Sequence, residues 1–243
     1  MIATERARTE HILVLDTGDA LRGGGILGDT TDGQAVVAAM NLVATDAMAL
    51  GRNELSLGSA ELQKRMAEGR FPMLSANVSV RGSLELFAPP FTIVDIAGHR
   101  IALLGLTRLP SGAVADFDVR DPSTAVEPVL DELMGQVNTI ILLTNMDYRS
   151  AMQLASVLPG IDLVVSASPG QLPTDAVRVA GTGSLVVVAE QPVARHTGRR
   201  VGRLTVLLNH DGSLTDPQWR SISLDKSYAD DPDMATLLAG YRP

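Results

Sequence analysis

Two stretches constrain this chain more than any others: Ile12-Leu13-Val14-Leu15-Asp16-Thr17-Gly18-Asp19 and Asp46-Ala47-Met48-Ala49-Leu50-Gly51-Arg52-Asn53-Glu54. Each is an apolar run of strand length that stops at a glycine followed by polar side chains. Neighbouring strands that end this way bring those side chains together at the carboxyl edge of one sheet, where open α/β folds place their ligands. A function is therefore to be sought between Asp16 and Glu54.

The segments around this pair alternate in period. Residues 33–43 carry Val36, Val37, Met40 and Val43 at helical spacing, and 59–68 read as a second amphipathic helix with Ser59 as N-cap. Residues 71–77 read as a strand, and 91–96 with 101–106 as a hairpin about Ala97-Gly98-His99-Arg100. A helix over 125–136, a strand over 139–143, a helix over 149–157 and a strand over 161–165 follow. Ile140-Ile141-Leu142-Leu143 is apolar on both faces, the mark of a sheet covered on both sides.

From residue 177 onward the strands 177–180, 184–189, 203–208 and 219–224 have no helices between them, which predicts a mixed second sheet packed on the first. Asp230-Asp231-Pro232 opens a terminal helix ending near Tyr241, and residues 4–10 read as the tail of another. The glycine-rich run 23–28 lacks the Lys-[Ser/Thr] of a phosphate-binding loop and reads as a surface loop. There is no internal repeat and no dividing linker. Residues 1–243 thus read as one domain, with a βα-alternating part over 11–166, a β-rich second-sheet part over 177–225 and a terminal helix over 230–241.

Composition narrows the function. With 20 basic against 28 acidic residues, formally −8, the chain lacks the clustered cations that bind a phosphate backbone, and nucleic acid is excluded as a partner. One Trp, three Tyr and four Phe leave few platforms for base stacking. The absence of cysteine removes thiolate metal sites and Cys nucleophiles. No apolar run has the length of a transmembrane segment, so the chain reads as soluble.

Six stretches in order carry a resemblance. They are residues 15–21, residues 47–54, Phe71-Pro72-Met73-Leu74-Ser75-Ala76-Asn77-Val78, residues 98–107, Leu158-Pro159-Gly160-Ile161-Asp162-Leu163-Val164-Val165, and Asp230-Asp231-Pro232. Together they resemble the metallophosphoesterase (calcineurin-like) domain of the 5′-nucleotidase / 2′,3′-cyclic-nucleotide phosphodiesterase family. That resemblance implies a four-layer α-β-β-α sandwich of two mixed sheets. It also implies a site in which carboxylate, amide and imidazole ligands hold two divalent metals that activate water and clamp a phosphate ester.

Residue by residue, the implied ligand set is depleted. The family's first motif, an Asp-x-His after an N-terminal strand, has no counterpart. The metal-bridging Asp is Asp19. The Gly-Asn-His-Glu motif reads Gly51-Arg52-Asn53-Glu54, which puts Arg52 at a ligand Asn and Asn53 at the catalytic His. A ligand His falls at Asn145, and two more fall at Ser168 and Gly170. His11, His99, His196 and His210 read as turn or surface residues, and Ser166 and Ser168 as turn formers.

A lone Asp does not hold a transition metal. Asp19 with Glu54 and Asp147 is the one set that would offer oxygens to a hard cation such as Ca²⁺ or Mg²⁺. Arg52 is expected to pair with Asp19 and fill the volume of the metals, since a guanidinium fork satisfies both oxygens of a buried carboxylate. Arg195, Arg199, Arg200 and Arg203 read as a solvated hairpin tip.

The expected function is a catalytically inactive metallophosphoesterase-like domain, with no cofactor, serving as a structural or protein-interaction subunit of a larger assembly. The alternatives are an active metal-dependent phosphohydrolase completed by a separate upstream segment, and an anion or small-molecule binding module using the vacated cleft. A periplasmic or extracytoplasmic location follows from the resemblance alone.

Overall fold

A computed structural model of the chain describes residues 1–23, 25–108, 112, 114, 116–167, 175–189 and 200–241. The first half runs α1 (Ile2–Arg6), β1 (Leu15–Asp16), α2 (Ile26–Thr30), α3 (Gln34–Leu42), β2 (Ala47–Ala49), α4 (Arg52–Leu55), α5 (Ser59–Glu68), β3 (Met73–Leu74) and β4 (Val78–Val80). It continues through β5 (Phe91–Ile96), β6 (His99–Leu106), β7 (Phe117–Val119), α6 (Pro122–Leu133), β8 (Thr139–Thr144), α7 (Tyr148–Val157) and β9 (Leu163–Ala167). The last part holds β10 (Val177–Arg178), β11 (Leu185–Ala189), β12 (Arg200–Leu208), β13 (Leu214–Ser223) and α8 (Pro232–Ala239).

Strand pairing divides these elements into layers. β1, β2 and β3 form a parallel sheet in that order. A six-stranded mixed sheet has the order β10-β11-β9-β8-β6-β5, parallel in its centre and antiparallel at both edges. β12 pairs with β13, and β4 with β7.

Alternation within single strands sets the order of the layers. Ile140 and Leu142 of β8 pack with Val126, Val129 and Leu133 of α6 and Ala151, Leu154 and Ala155 of α7. Their neighbours Ile141 and Leu143 face the other way, onto Ala47, Ala49 and Leu74 of the small sheet. Met48, Leu50 and Met73 then turn outward to Val37 of α3, Leu55 of α4 and Leu62 of α5. Helix, sheet, sheet, helix is the four-layer sandwich expected above.

The boundary between the sheets differs from the expected one. Residues 177–225 do not build the second sheet alone: β10 and β11 extend the sheet of β6, β8 and β9, while β1–β3 make the facing layer. The reason is in β11, whose Leu185, Val186, Val187 and Val188 are all buried and so require cover on both faces. Among the described residues the β12–β13 hairpin, most clearly in β13, keeps the alternating exposure of a one-sided pair.

Local differences are smaller. The N-cap of α5 is Gly58 rather than Ser59, because the Ser59 N–H and hydroxyl both donate to Asp116 Oδ2 at 2.8 and 3.1 Å. Residues 26–30 and 52–55 are short helices where a loop and a turn were expected. The α6 helix begins earlier, at Pro122, because Asp121 caps it through the N–H groups of Ser123 and Thr124.

Candidate functional site

The site grows out of two interlocked turns. β1 leads through Thr17 into Gly18 at φ +90°, a backbone conformation that favours glycine, and a Cβ there would lie 2.6 Å from the Ala49 carbonyl oxygen. Facing it, a Cβ on Gly51 would lie 2.5 Å from Asp19 Oδ1 and 2.6 Å from the Asp19 backbone nitrogen. Two glycines thus let the ends of β1 and β2 touch. Asp19 itself sits at φ +62°, a strained geometry for a residue with a side chain.

Glu54 fastens the two turns together. It is fully buried, and its Oε2 accepts from the N–H groups of Gly51 at 2.8 Å and Asp19 at 2.7 Å. Its Oε1 accepts from the Leu21 N–H at 2.9 Å. Burial pushes this carboxyl up to about 7; the amide bonds oppose the shift and the charge of Asp19 adds to it. Asp16, which accepts from the Gly18 N–H at 2.8 Å, is pushed up to about 6, chiefly by burial.

The Asp19 carboxylate is met by N–H donors. Its Oδ1 accepts from the Asn53 backbone N–H at 2.8 Å, and its Oδ2 from Asn145 Nδ2 at 3.2 Å. The orientation of the Asn145 amide is fixed by its other end, where Oδ1 accepts from the Arg108 N–H at 2.7 Å. The Asn53 side chain donates to the carbonyl oxygens of Arg22, at 2.9 Å, and Asp19, at 3.4 Å.

The expected Arg52–Asp19 ion pair is not made. Arg52 lies exposed at the first position of α4, and each oxygen of Asp19 accepts instead from an N–H, of Asn53 and of Asn145. Of the three carboxylates that would offer oxygens to a hard cation, Asp147 is engaged elsewhere. Asp147 caps α7, its two oxygens accepting from the N–H and hydroxyl of Ser150 at 3.0 and 2.9 Å, and these bonds hold its carboxyl below the usual range.

Asp19, Asn53, Glu54 and Asn145 are therefore brought together, Arg52 stands outside them, and Ser168 and Gly170 lie outside the described residues, as does His196. The Ser166 hydroxyl donates within the sheet, to the Val187 carbonyl oxygen at 3.4 Å. His11 is exposed, and His99 stands 6.5 Å from His210 between the tips of two hairpins.

Sequence reasoning missed a buried polar layer behind the site. Thr107 donates through Oγ1 to the Leu50 carbonyl at 2.7 Å, and its N–H donates to Asn77 Oδ1 at 2.8 Å. Asn77 Nδ2 returns to the Thr107 carbonyl at 2.7 Å, and Ser75 Oγ bonds both side chains. This net ties the carboxyl ends of β2, β3 and β6 at one level. The signal for it was polar residues closing apolar runs, Ser75-Ala76-Asn77 and Leu106-Thr107.

Two divalent cations require several lone pairs aimed at common points. The groups aimed at Asp19 are N–H donors, the oxygens of Glu54 are turned to three amides, and the oxygen of Asn145 is held by Arg108. Among the described residues no group of three His, Asp or Glu is placed to hold a metal ion. This donor set does not fit a two-metal centre.

No family model matches the sequence. The chain is 27% identical over 252 residues to a snake venom 5′-nucleotidase of Crotalus adamanteus, an alignment covering 94% of this chain and 42% of that protein. It superposes on a 5′-nucleotidase precursor from Thermus thermophilus with a TM-score of 0.84 at 24% identity, covering 99% of this chain and 51% of the other. The calcineurin-like phosphoesterase YfkN from Bacillus subtilis gives a TM-score of 0.75 at 19% identity, covering 99% of this chain and 85% of the other. The chain spans less than half the length of the venom enzyme. This chain is a homologue of the 5′-nucleotidases and has the calcineurin-like phosphoesterase fold of that family.

Proposed function

We propose that this phosphohydrolase-related chain is a metal-free, hydrolytically inactive domain, retained over residues 1–243 as a structural or protein-interaction subunit. One observation carries the reading. Both oxygens of Asp19, the residue that stands at the family's bridging ligand, are capped by N–H donors from Asn53 and Asn145. A cation approaching these oxygens would face the backbone N–H of Asn53 and the amide hydrogens of Asn145.

Turnover tests it. The purified chain with added Mn²⁺ is expected to hydrolyse neither 5′-AMP nor bis(p-nitrophenyl) phosphate above the rate of buffer with metal. Saturable turnover of either that is lost in Asp19→Ala would overturn the reading. An extracytoplasmic location belongs to the same proposal. It is supported by relatives that include a venom enzyme and a protein described as a precursor.

A further inference from the structure

We propose that His99 and His210 form a binding site for one borderline divalent cation, Zn²⁺ or Cu²⁺, which clips the β12–β13 hairpin to the β5–β6 hairpin. The site is independent of the function proposed above, because it lies at the opposite end of the strands from Asp19. His99 opens β6 and Thr139 opens β8, whereas Thr107 and Asn145, which follow those strands, bond to the Leu50 carbonyl and to Asp19.

Two of the chain's four histidines meet here from hairpins remote in sequence and from different layers. Their ring centroids stand 6.5 Å apart with the planes tilted by 44°. His99 is half-buried and His210 exposed. Among the described residues neither imidazole makes a hydrogen bond or ion pair, so the protein itself uses none of the ring nitrogens. A neutral imidazole always presents one lone pair, and it is the commonest metal ligand.

Both histidines sit on a fixed frame. Ala97 and Gly98, both at positive φ, turn β5 into β6, and His99 is paired with Ile96 across that turn. The next residue, Arg100, exchanges backbone bonds with Asn138: its N–H donates to Asn138 Oδ1 and its carbonyl accepts from the Asn138 N–H, both at 2.8 Å. The turn that carries His210 is closed by Asn209 and Ser213, with Asn209 donating to the Ser213 carbonyl at 3.0 Å and Gly212 to the Asn209 carbonyl at 2.9 Å. It docks on the same Asn138. A Cβ on Gly212 would lie 2.1 Å from the Asn138 carbonyl oxygen, and Thr139 Oγ1 donates to the Gly212 carbonyl at 2.7 Å. Asn138 thus holds one histidine-bearing turn on each side, and the approach of the two rings is built into the fold.

The spacing suits one metal. With Zn–N bonds of about 2.0–2.1 Å, two imidazoles on a tetrahedral ion stand roughly 5–6 Å apart ring to ring. A small rotation of the exposed His210 closes the difference. No third His, Asp or Glu among the described residues joins the pair, so water completes the coordination. Imidazole ligands favour Cu²⁺ and Zn²⁺ and bind Mn²⁺ least in that series. The charge around the pair includes two carboxylates on this edge: Asp162 is raised chiefly by burial and further by the charge of Asp211, the neighbour of His210. The guanidinium of Arg100 is held on the Gln136 carbonyl at 2.6 Å. In the unfolded chain the two histidines are far apart, so the cation binds the folded chain preferentially and stabilises it.

Calorimetric titration of the full chain with Zn²⁺ at about pH 7.5 tests this, in a range where imidazoles are ordinarily neutral. Binding of one equivalent is expected, weakened about tenfold or more in His99→Ala and in His210→Ala and unchanged in His11→Ala, His196→Ala and Asp19→Ala. Mn²⁺ should give no comparable binding. In the unsubstituted chain, Zn²⁺ should shift the imidazole C–H proton resonances of His99 and His210 together, a readout that does not depend on the folding of any variant. No binding of Zn²⁺, binding undiminished in either folded variant of the pair, or resonance shifts confined to other residues would overturn the proposal. Binding lost in Asp19→Ala but kept in His99→Ala would overturn it and would also count against the metal-free reading of the Asp19 edge, whereas loss in the two histidine variants alone supports it and leaves that reading intact.

Discussion

Glu54 joins the two turns through its side chain alone, since its three acceptor bonds reach residues 19, 21 and 51. Glu54→Gln keeps the shape but turns an N–H₂ toward backbone donors, so at least one buried amide loses its acceptor. Urea denaturation is expected to show a loss of roughly 2–4 kcal/mol. The same residue gives the fold a pH dependence of known sign. Its carboxyl lies at about 7 in the folded chain against an ordinary value of 4.5. The folded state therefore binds more protons than the unfolded state between those values, and stability falls as pH rises through that window, by on the order of 3 kcal/mol for this group.

Asp16 acts in the same direction up to about 6. Asp147, Asp116 and Asp121 lie below the ordinary carboxylate value, so they stabilise above it and that contribution is lost as pH falls. Maximum stability is expected near pH 5, with a decline toward pH 8 that is shallower in Glu54→Gln. A thermal midpoint rising from pH 5 to pH 8 would contradict the assignment.

Elements meet at this site through small residues. At Gly105 of β6 a Cβ would lie 2.3 Å from the Leu74 carbonyl oxygen of β3, so the two sheets touch backbone to backbone just behind the polar net of Ser75, Asn77 and Thr107. Gly105→Ala is expected to cost about 3 kcal/mol or more, because neither backbone has room to yield. Cooperative unfolding with an unchanged midpoint would disprove this contact. The strands and helices were legible where an apolar run or a helical period persisted, as in 140–143 and 59–68. Sheet membership was not, since β11 differs from a one-sided strand only in being apolar on both faces. The small helix α4 was hidden because four residues carry no period; its start is set by a tertiary bond from the Asn53 N–H to Asp19 and a local one from the Gly51 N–H to Glu54.

At the scale of the whole molecule, the order of six junction sequences gave the layers, because five of them flank a strand that the sandwich requires and the sixth, Asp230-Asp231-Pro232, caps α8. Asp19, Asn53, Glu54 and Asn145 were legible as one site for the same reason. Their partners were not. The charge on Arg52 suggested a guanidinium for Asp19, whereas the backbone amide of Asn53, which no side-chain reading reveals, takes that place. The tertiary outcome is a strand edge where the resemblance implies metals and where Asp19 and Glu54 are engaged by hydrogen bonds. Metal content measures this most directly. After incubation with excess Mn²⁺ and desalting, the purified chain is expected to retain well under one equivalent by elemental analysis. Retention of about two equivalents, the stoichiometry of a two-metal hydrolase, with loss of that metal in Asp19→Ala, would contradict it.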